Sequence, residues 1–293
     1  MRFLRNTSIK FLKLRNLFFF ISTALVVISL LLIFGKKPNW GIDFTGGTLV
    51  HASFEQLPTD IEIREVLSSA GYENAGVQRF RDAEAVIIRL GVMEEENVAR
   101  GVENALMESF PHLSPEILRT EMVGPAVGDY LRERALWAFF LAFAGIVLYV
   151  TWRFKGGVWG LSAVLALVHD VLIVFGLLVF LGITIDLVVV AALLTLAGYS
   201  VNDSIVVYDR IRENIKLHYK KPLGEIIDLS INDTLSRTVI TSGTTLVVVL
   251  ALLLQGGEVL HGFSVALFAG ILIGTYSSIF VAAPLVYAWQ SKK

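Results

Sequence analysis

Residues 185–208 read Ile185-Asp-Leu-Val-Val-Val-Ala-Ala-Leu-Leu-Thr-Leu-Ala-Gly-Tyr-Ser-Val-Asn-Asp-Ser-Ile-Val-Val-Tyr208. A helix rises about 1.5 Å per residue and needs roughly 20 apolar residues to cross about 30 Å of hydrocarbon, so this run is long enough to span a bilayer. It also carries a carboxylate, Asp203, inside its apolar length. Five further runs meet the same criterion: 17–35, 135–152, 159–182, 238–254 and 263–289, the last long enough to tilt or to break at Pro284. The composition agrees, with 55% of the 293 residues hydrophobic and only 17% charged. Soluble domains carry about a quarter charged residues, and the mean hydropathy here is +0.66. The reading is an α-helical multipass membrane protein with six transmembrane helices. A net charge of −1 offers no polycationic surface for nucleic acid, and zero cysteines leave no disulfide, thiolate-metal or iron–sulfur chemistry.

The basic stretch 1–16, with Arg2, Arg5, Lys10, Lys13 and Arg15, precedes the first run as it would precede a signal peptide. That run is too long for a cleaved h-region and lacks a small-x-small site before Lys36, so it reads as an uncleaved anchor. Orientation follows the Lys and Arg of the short loops. Arg153 and Lys155 mark the second-to-third connection. Arg210, Arg212, Lys216, Lys220, Lys221 and Arg237 mark the fourth-to-fifth, and Lys292 and Lys293 end the chain. The alternate connections, 182–185 and 255–262, carry no Lys or Arg. Both termini are therefore expected in the cytoplasm and residues 36–134 outside, where ten basic residues against seventeen acidic ones suit a solvated domain.

Inside 36–134 the hydrophobic period alternates between strand and helix. Residues 48–54 read as a strand, and Thr59-Asp-Ile-Glu62 is a capping-box signature opening a helix to about Ala70. Residues 75–80 and 85–90 read as a hairpin over the turn Arg81-Asp-Ala-Glu84. A second helix is expected over about 94–109, with Val98, Val102, Ala105 and Leu106 on one face, and residues 117–123 close the set as a strand. The order βαββαβ is the ferredoxin-like α+β plan. After Gly124-Pro125 the chain turns helical again and feeds the second span. Residues 209–236, with Ile226, Ile227, Leu229, Ile231 and Leu235 among polar neighbours, read as an amphipathic cytoplasmic connector at the membrane surface.

Ionisable residues at membrane depth are costly, so they direct the functional reading. Asp170, beside His169, lies near the middle of the third span, and Asp203 lies about 9 Å inside the cytoplasmic end of the fourth. Arg237 opens the fifth span at a depth within about one helical turn of Asp203. Pairing with Arg237 would keep Asp203 ionised and loss of the pairing would let it take up a proton, which is a protonation switch. The alternative is an Arg237 that only snorkels to the surface. Asn202 and Ser204 beside Asp203, together with Ser200, Thr238, Thr241, Ser242, Thr244 and Thr245, suit helices that approach closely and hydrogen-bond across the gap, as does Gly270-x-x-x-Gly274. His169 either shares a proton with a carboxylate or is a satisfied structural histidine.

Several sharper chemistries fail. Gly41-Ile-Asp-Phe-Thr-Gly-Gly47 resembles a phosphate loop but lacks the Gly-Lys-Ser/Thr ending. Gly41, Asp43, Gly46 and Gly47 instead suit a sharp exit from the membrane into the first strand. No His-Glu-x-x-His spacing points to a metal, and no nucleophile sits in a hydrolase setting, so neither enzymatic activity nor a cofactor is expected.

Four segments together resemble the SecF family, the smaller membrane subunits of the bacterial SecD–SecF protein-export complex. They are Gly41–Gly47, Ala166-Leu-Val-His-Asp-Val171, Gly198-Tyr-Ser-Val-Asn-Asp-Ser-Ile-Val-Val-Tyr-Asp-Arg-Ile-Arg-Glu-Asn214 and Ser236-Arg-Thr-Val-Ile-Thr-Ser242. The resemblance implies half of a resistance-nodulation-division (RND) transporter architecture in the bacterial plasma membrane. It implies SecD and a SecY-type translocon as partners, an exported preprotein as the client outside the membrane, and the proton-motive force as the driver. Asp203 and Arg237 match the charged positions of the family's proton route. From the residues alone, half of a proton-coupled exporter of small molecules or lipids, or a passive scaffold subunit, stays open.

The short-loop charge bias makes one direct prediction. A reporter fused after Glu96 reads outside the cytoplasm, and reporters after Lys155, Lys220 and Lys293 read inside. One inverted position in alkaline phosphatase and fluorescent-protein fusions breaks the six-span topology.

Overall fold

A computed structural model describes residues 7–73, 75–79, 84–93, 97–257 and 259–290. The chain divides into two units, Met1–Asn39 with Trp137–Lys293, and Trp40–Leu136. In chain order, a 3-10 turn at Phe11–Leu14 enters helix α1 (Arg15–Lys36), and a single helical turn at Ile42–Thr45 precedes strand β1 (Gly47–Ser53). Then come α2 (Asp60–Ser69), β2 (Gly76–Arg79), β3 (Ala85–Leu90), α3 (Val98–Ser109) and β4 (Glu116–Val123). The long helices α4 (Pro125–Phe154), α5 (Gly157–Leu181), α6 (Leu187–Leu217), α7 (Leu223–Gln255) and α8 (His261–Ser277) follow, and a π-helical turn at Ser278–Ala282 joins α8 to α9 (Ala283–Gln290).

In the smaller unit the sheet runs β2-β3-β1-β4, every pair antiparallel, which is the ferredoxin-like order. Val50 stands opposite Ile88 on one side and Thr120 on the other. Strand alternation sends Val50, Ala52, Val86 and Ile88 to one face, where Ile63 and Leu67 of α2 and Val98, Val102 and Leu106 of α3 cover them. The expected capping box is present. The Thr59 hydroxyl accepts from the Glu62 amide at 3.3 Å, and Glu62 Oε2 accepts from the Thr59 amide at 2.7 Å, satisfying two N–H groups that the helix leaves open. The first three residues of the expected hairpin turn, 81–83, and the expected start of the second helix at 94–96 lie outside the described residues.

The glycine-rich entry serves backbone geometry. Gly41 caps the turn Ile42–Thr45, and Gly46 and Gly47 then adopt φ of +68° and +123°. A Cβ on Gly47 would stand 2.2 Å from the Leu90 carbonyl oxygen, so only glycine lets β1 begin at this register against β3.

In the membrane unit, six helices are long and apolar enough to cross a bilayer, and they divide by burial. Half or more of the most apolar windows of α5, α6 and the α8–α9 segment is buried (50–56%), against 6–17% in α1, α4 and α7. The first group forms the centre and the second faces outward. Small residues set the spacing. A Cβ on Gly270 would lie 2.5 Å from Leu196, one on Gly274 would lie 3.1 Å from Ser200, and one on Gly176 would lie 2.4 Å from Ser29. The sixth span stays helical from His261 to Gln290, and widens into the π turn just before Pro284. Proline has no N–H for the helix ladder and its ring crowds the carbonyl four residues back, and the wider turn relieves both.

Residues 209–236 differ from the interfacial connector expected of them. The α6 helix continues to Leu217 and α7 begins at Leu223, leaving five residues between them. The apolar stripe Ile226, Ile227 and Ile231 is buried in one cluster with Leu12, Ile211 and Val286. Its amphipathicity reflects packing against protein, because two long helix ends and the N-terminal turn meet there. Asp228 Oδ1 accepts from the Leu12 amide (2.9 Å), and Asn232 bonds the Ile9 amide (3.0 Å) and carbonyl (2.8 Å).

Two predictions concern the α+β unit. An excised segment 46–123 folds alone with dispersed amide resonances. Leu106→Asp unfolds it, since losing a buried leucine and burying an unpaired carboxylate together cost more than about 3 kcal/mol. The second follows from two titrating groups. Burial first and the Arg119 charge second hold His51 below its ordinary 6.5, and the Thr59 amide and then its hydroxyl hold Glu62 below its ordinary 4.5. In both cases the unfolded chain binds the proton more readily, so stability is fully present above the ordinary value and falls on acidification through the lowered one. Urea midpoints of the segment decline first below pH 6.5 and again below pH 4.5. His51→Gln flattens the first decline and Glu62→Gln the second.

Candidate functional site

The α5 helix presents Asp170, fully buried, toward α6 and α8. An ionised carboxylate accepts hydrogen bonds and donates none, and each group that reaches Asp170 can donate. His169 Nδ1 stands 2.8 Å from Oδ1, and the Ser200 and Ser277 hydroxyls donate to Oδ2 at 2.5 and 2.6 Å. Ser200 comes from α6, one helical turn before Asp203, so a single face of α6 serves both carboxylates.

Asp203 is also buried, at 8% exposure. Its Oδ1 accepts from the Thr238 hydroxyl of α7 at 3.0 Å, and its Oδ2 accepts from the Ser278 hydroxyl at 2.9 Å. Ser277 and Ser278 are consecutive residues at the junction of α8 and the π turn, about 100° apart around the axis, and one reaches each carboxylate. Next to this pair, Thr275 Oγ1 and Ser242 Oγ lie 2.7 Å apart, and the Tyr199 hydroxyl donates to Ser242 at 3.4 Å.

Arg237 lies next to a residue that bonds Asp203 and does not itself pair with it. Among the described residues, Asp203 takes its hydrogen bonds from Thr238 and Ser278 and forms no ion pair with Arg237. Thr238 is turned to α6, and the preceding Arg237 lies on the exposed side of α7. Asn202 is exposed, Ser204 is buried beside Asp203, and Thr241 is exposed with its carbonyl accepting from the Thr245 hydroxyl at 2.9 Å. Gly41, Asp43, Gly46 and Gly47 belong to the α+β unit.

Sequence reading missed Ser277 and Ser278. They continue the Gly270 and Gly274 face by one turn, at seven and eight residues from Gly270, so extending the small-residue face along the span would have found them.

Comparison with known proteins places this arrangement. A family model described as "Protein export membrane protein SecD/SecF, C-terminal" matches residues 102–292, and a second, "SecD/SecF GG Motif", matches residues 31–56, which include Gly46 and Gly47. The protein translocase subunit SecF of Desulfurispirillum indicum is 42% identical over 99% of this chain and 94% of its own length. The chain belongs to the SecF family. The SecF of Pseudomonas aeruginosa is 45% identical over 94% of this chain and 89% of its own. Among solved structures, SecDF of Thermus thermophilus, a translocon-associated membrane protein, superposes with a TM-score of 0.91 at 38% identity, and a SecDF in a super-membrane-facing form superposes with 0.73 at 39%. Each match covers 99% of this chain, which spans 40% of those longer chains. As a SecF-family member the chain is a multipass membrane protein and an accessory subunit of the Sec protein translocase.

Proposed function

We propose that this chain works with SecD to draw on the proton-motive force for protein export, and that Asp203 is a carboxylate that binds and releases the proton. The observation that carries the reading is the hydroxyl shell of Asp203. A buried carboxylate locked to a guanidinium stays ionised, but one held by Thr238 and Ser278 is served in either state, because a hydroxyl both donates and accepts. Arg237, next in sequence to Thr238 and not bonded to the carboxylate, leaves it free to exchange a proton.

The loop charges support both termini in the cytoplasm of a bacterial inner membrane, with Trp40–Leu136 outside, where an exported preprotein emerges from a SecY-type channel. One proton crossing the membrane supplies about 2.3 kcal/mol per 100 mV, enough to bias a two-state movement and too little to unfold a client outright. One six-span chain is half of a twelve-span exchanger, so the companion half comes from SecD.

In proteoliposomes with SecD and the translocon, Asp203→Asn leaves insertion and co-purification with SecD unchanged and reduces export to its level without a proton gradient. Arg237→Lys is also impaired, because a compact ammonium is more easily neutralised than a guanidinium when dehydrated. Full gradient-dependent export by Asp203→Asn refutes the proton reading.

A further inference from the structure

One buried ionisable pair stands apart from Asp203. His169 and Asp170 are 92% and 100% buried, and His169 Nδ1 faces Asp170 at 2.8 Å. The other ring nitrogen, Nε2, is buried with no hydrogen-bond partner among the described residues. A histidine held only to fix the helix would bury its free nitrogen against a donor or an acceptor. This one has neither at Nε2 among the described residues, while its ring stacks at 6.3 Å between centroids with that of Tyr276, whose hydroxyl lies 2.8 Å from that of Ser22 in α1.

The serines around Asp170 and Asp203 share a second property. Besides donating to Asp170, Ser277 Oγ stands 3.2 Å from its own helix carbonyl at Gly274, and Ser278 Oγ stands 3.0 Å from the carbonyl of Thr275 as well as reaching Asp203. Each hydroxyl has one hydrogen and two acceptors within reach. Opposite an ionised carboxylate the hydrogen points at the carboxylate. Opposite an acid protonated on the oxygen that faces the serine, the acid proton is donated to Oγ and the serine hydrogen turns to the backbone; an acid protonated on its other oxygen leaves the serine hydrogen where it was. Either way the oxygens of each carboxyl group stay paired.

We propose that His169 and Asp170 form a second proton-binding site of this chain, which accepts its proton at His169 Nε2 and is coupled to Asp203 across the Ser277–Ser278 segment. The proton balance closes. A proton arriving at Nε2 makes an imidazolium, Nδ1 then gives its proton to Asp170 Oδ1, and the ring is left neutral in the other tautomer while the carboxylate becomes a carboxylic acid. The titratable group against the pair is Tyr276 on α8; Asp203 lies one turn beyond Ser200 on the same face of α6, and Arg237 of α7 precedes the Thr238 that bonds Asp203. Two buried carboxylates served by one face of α6 and by consecutive serines of the sixth span repel when both are ionised, so the proposed site titrates jointly with Asp203. This inference rests on the reading of Asp203 as proton-binding, and its test separates the two.

Infrared difference spectra of the full chain in lipid nanodiscs, recorded across pH, resolve the carbonyl stretch of protonated carboxylic acids. Two pH-dependent bands are expected, one absent in Asp203→Asn and the other in Asp170→Asn. Ser277→Ala moves only the frequency of the Asp170 band and Ser278→Ala only that of Asp203, which secures the assignment if Asp170→Asn fails to fold. Asp203→Asn shifts the pH at which the Asp170 band appears by about one unit or more, because removing a neighbouring negative charge eases ionisation of the one that remains. An Asp170 band that is missing, independent of pH, or unmoved by Asp203→Asn overturns the second site while the Asp203 band stands. A missing Asp203 band instead overturns the reading on which it rests.

Discussion

The membrane unit depends on how closely α8 lies against α6. With hydrogens in place of side chains at Gly270 and Gly274, Leu196 and Ser200 fill the contact, and the next turn of the same face brings Ser277 and Ser278 between two carboxylates. In hydrocarbon there is no water to solvate a charge set free by a wider gap. A larger residue at either glycine would therefore separate the helices and also remove hydroxyl donors from Asp170 and Asp203. Packing and polar satisfaction are one constraint here.

The π turn belongs to the same constraint. Pro284 cannot donate to the helix ladder next to the residues that reach both carboxylates, and the wide turn Ser278–Ala282 accommodates it within one continuous helix. Aromatic rings brace it from the side, with Phe280 3.7 Å from Phe18 and 5.8 Å from Phe11 by ring centroids. The N-terminal helix, little buried over most of its length, thus has a defined task at its N-terminal end.

Much of this was legible in the residues, and the failures have identifiable causes. Long apolar runs, strand alternation and the Thr59/Glu62 box are signals within a few residues of chain, and they locate six helices and a βαββαβ domain. Residues 209–236 misled because an apolar stripe looks the same whether it meets lipid headgroups or Leu12 and Val286. The distance from Asp203 to Arg237 was judged by depth along the membrane, which carries no information on the rotation of α7, and rotation presents Thr238 in its place. Ser277 and Ser278 passed unnoticed because serine is common in membrane helices. Only its position on the glycine face, and the partners 107 and 75 residues earlier, give the pair its meaning.

Those separations impose an order on biogenesis. The ribosome delivers Asp170 and Asp203 to the insertion machinery long before the serines that complete their shells, since the sixth span is made last. Asp170 leaves the exit tunnel with His169 already attached and gains Ser200 after 30 more residues. The histidine is thus its only companion during early insertion. Asp203 waits for Thr238 and then for the final span. A nascent chain halted before that span would hold two carboxylates in lipid with three of their five side-chain hydrogen bonds, each one partner short.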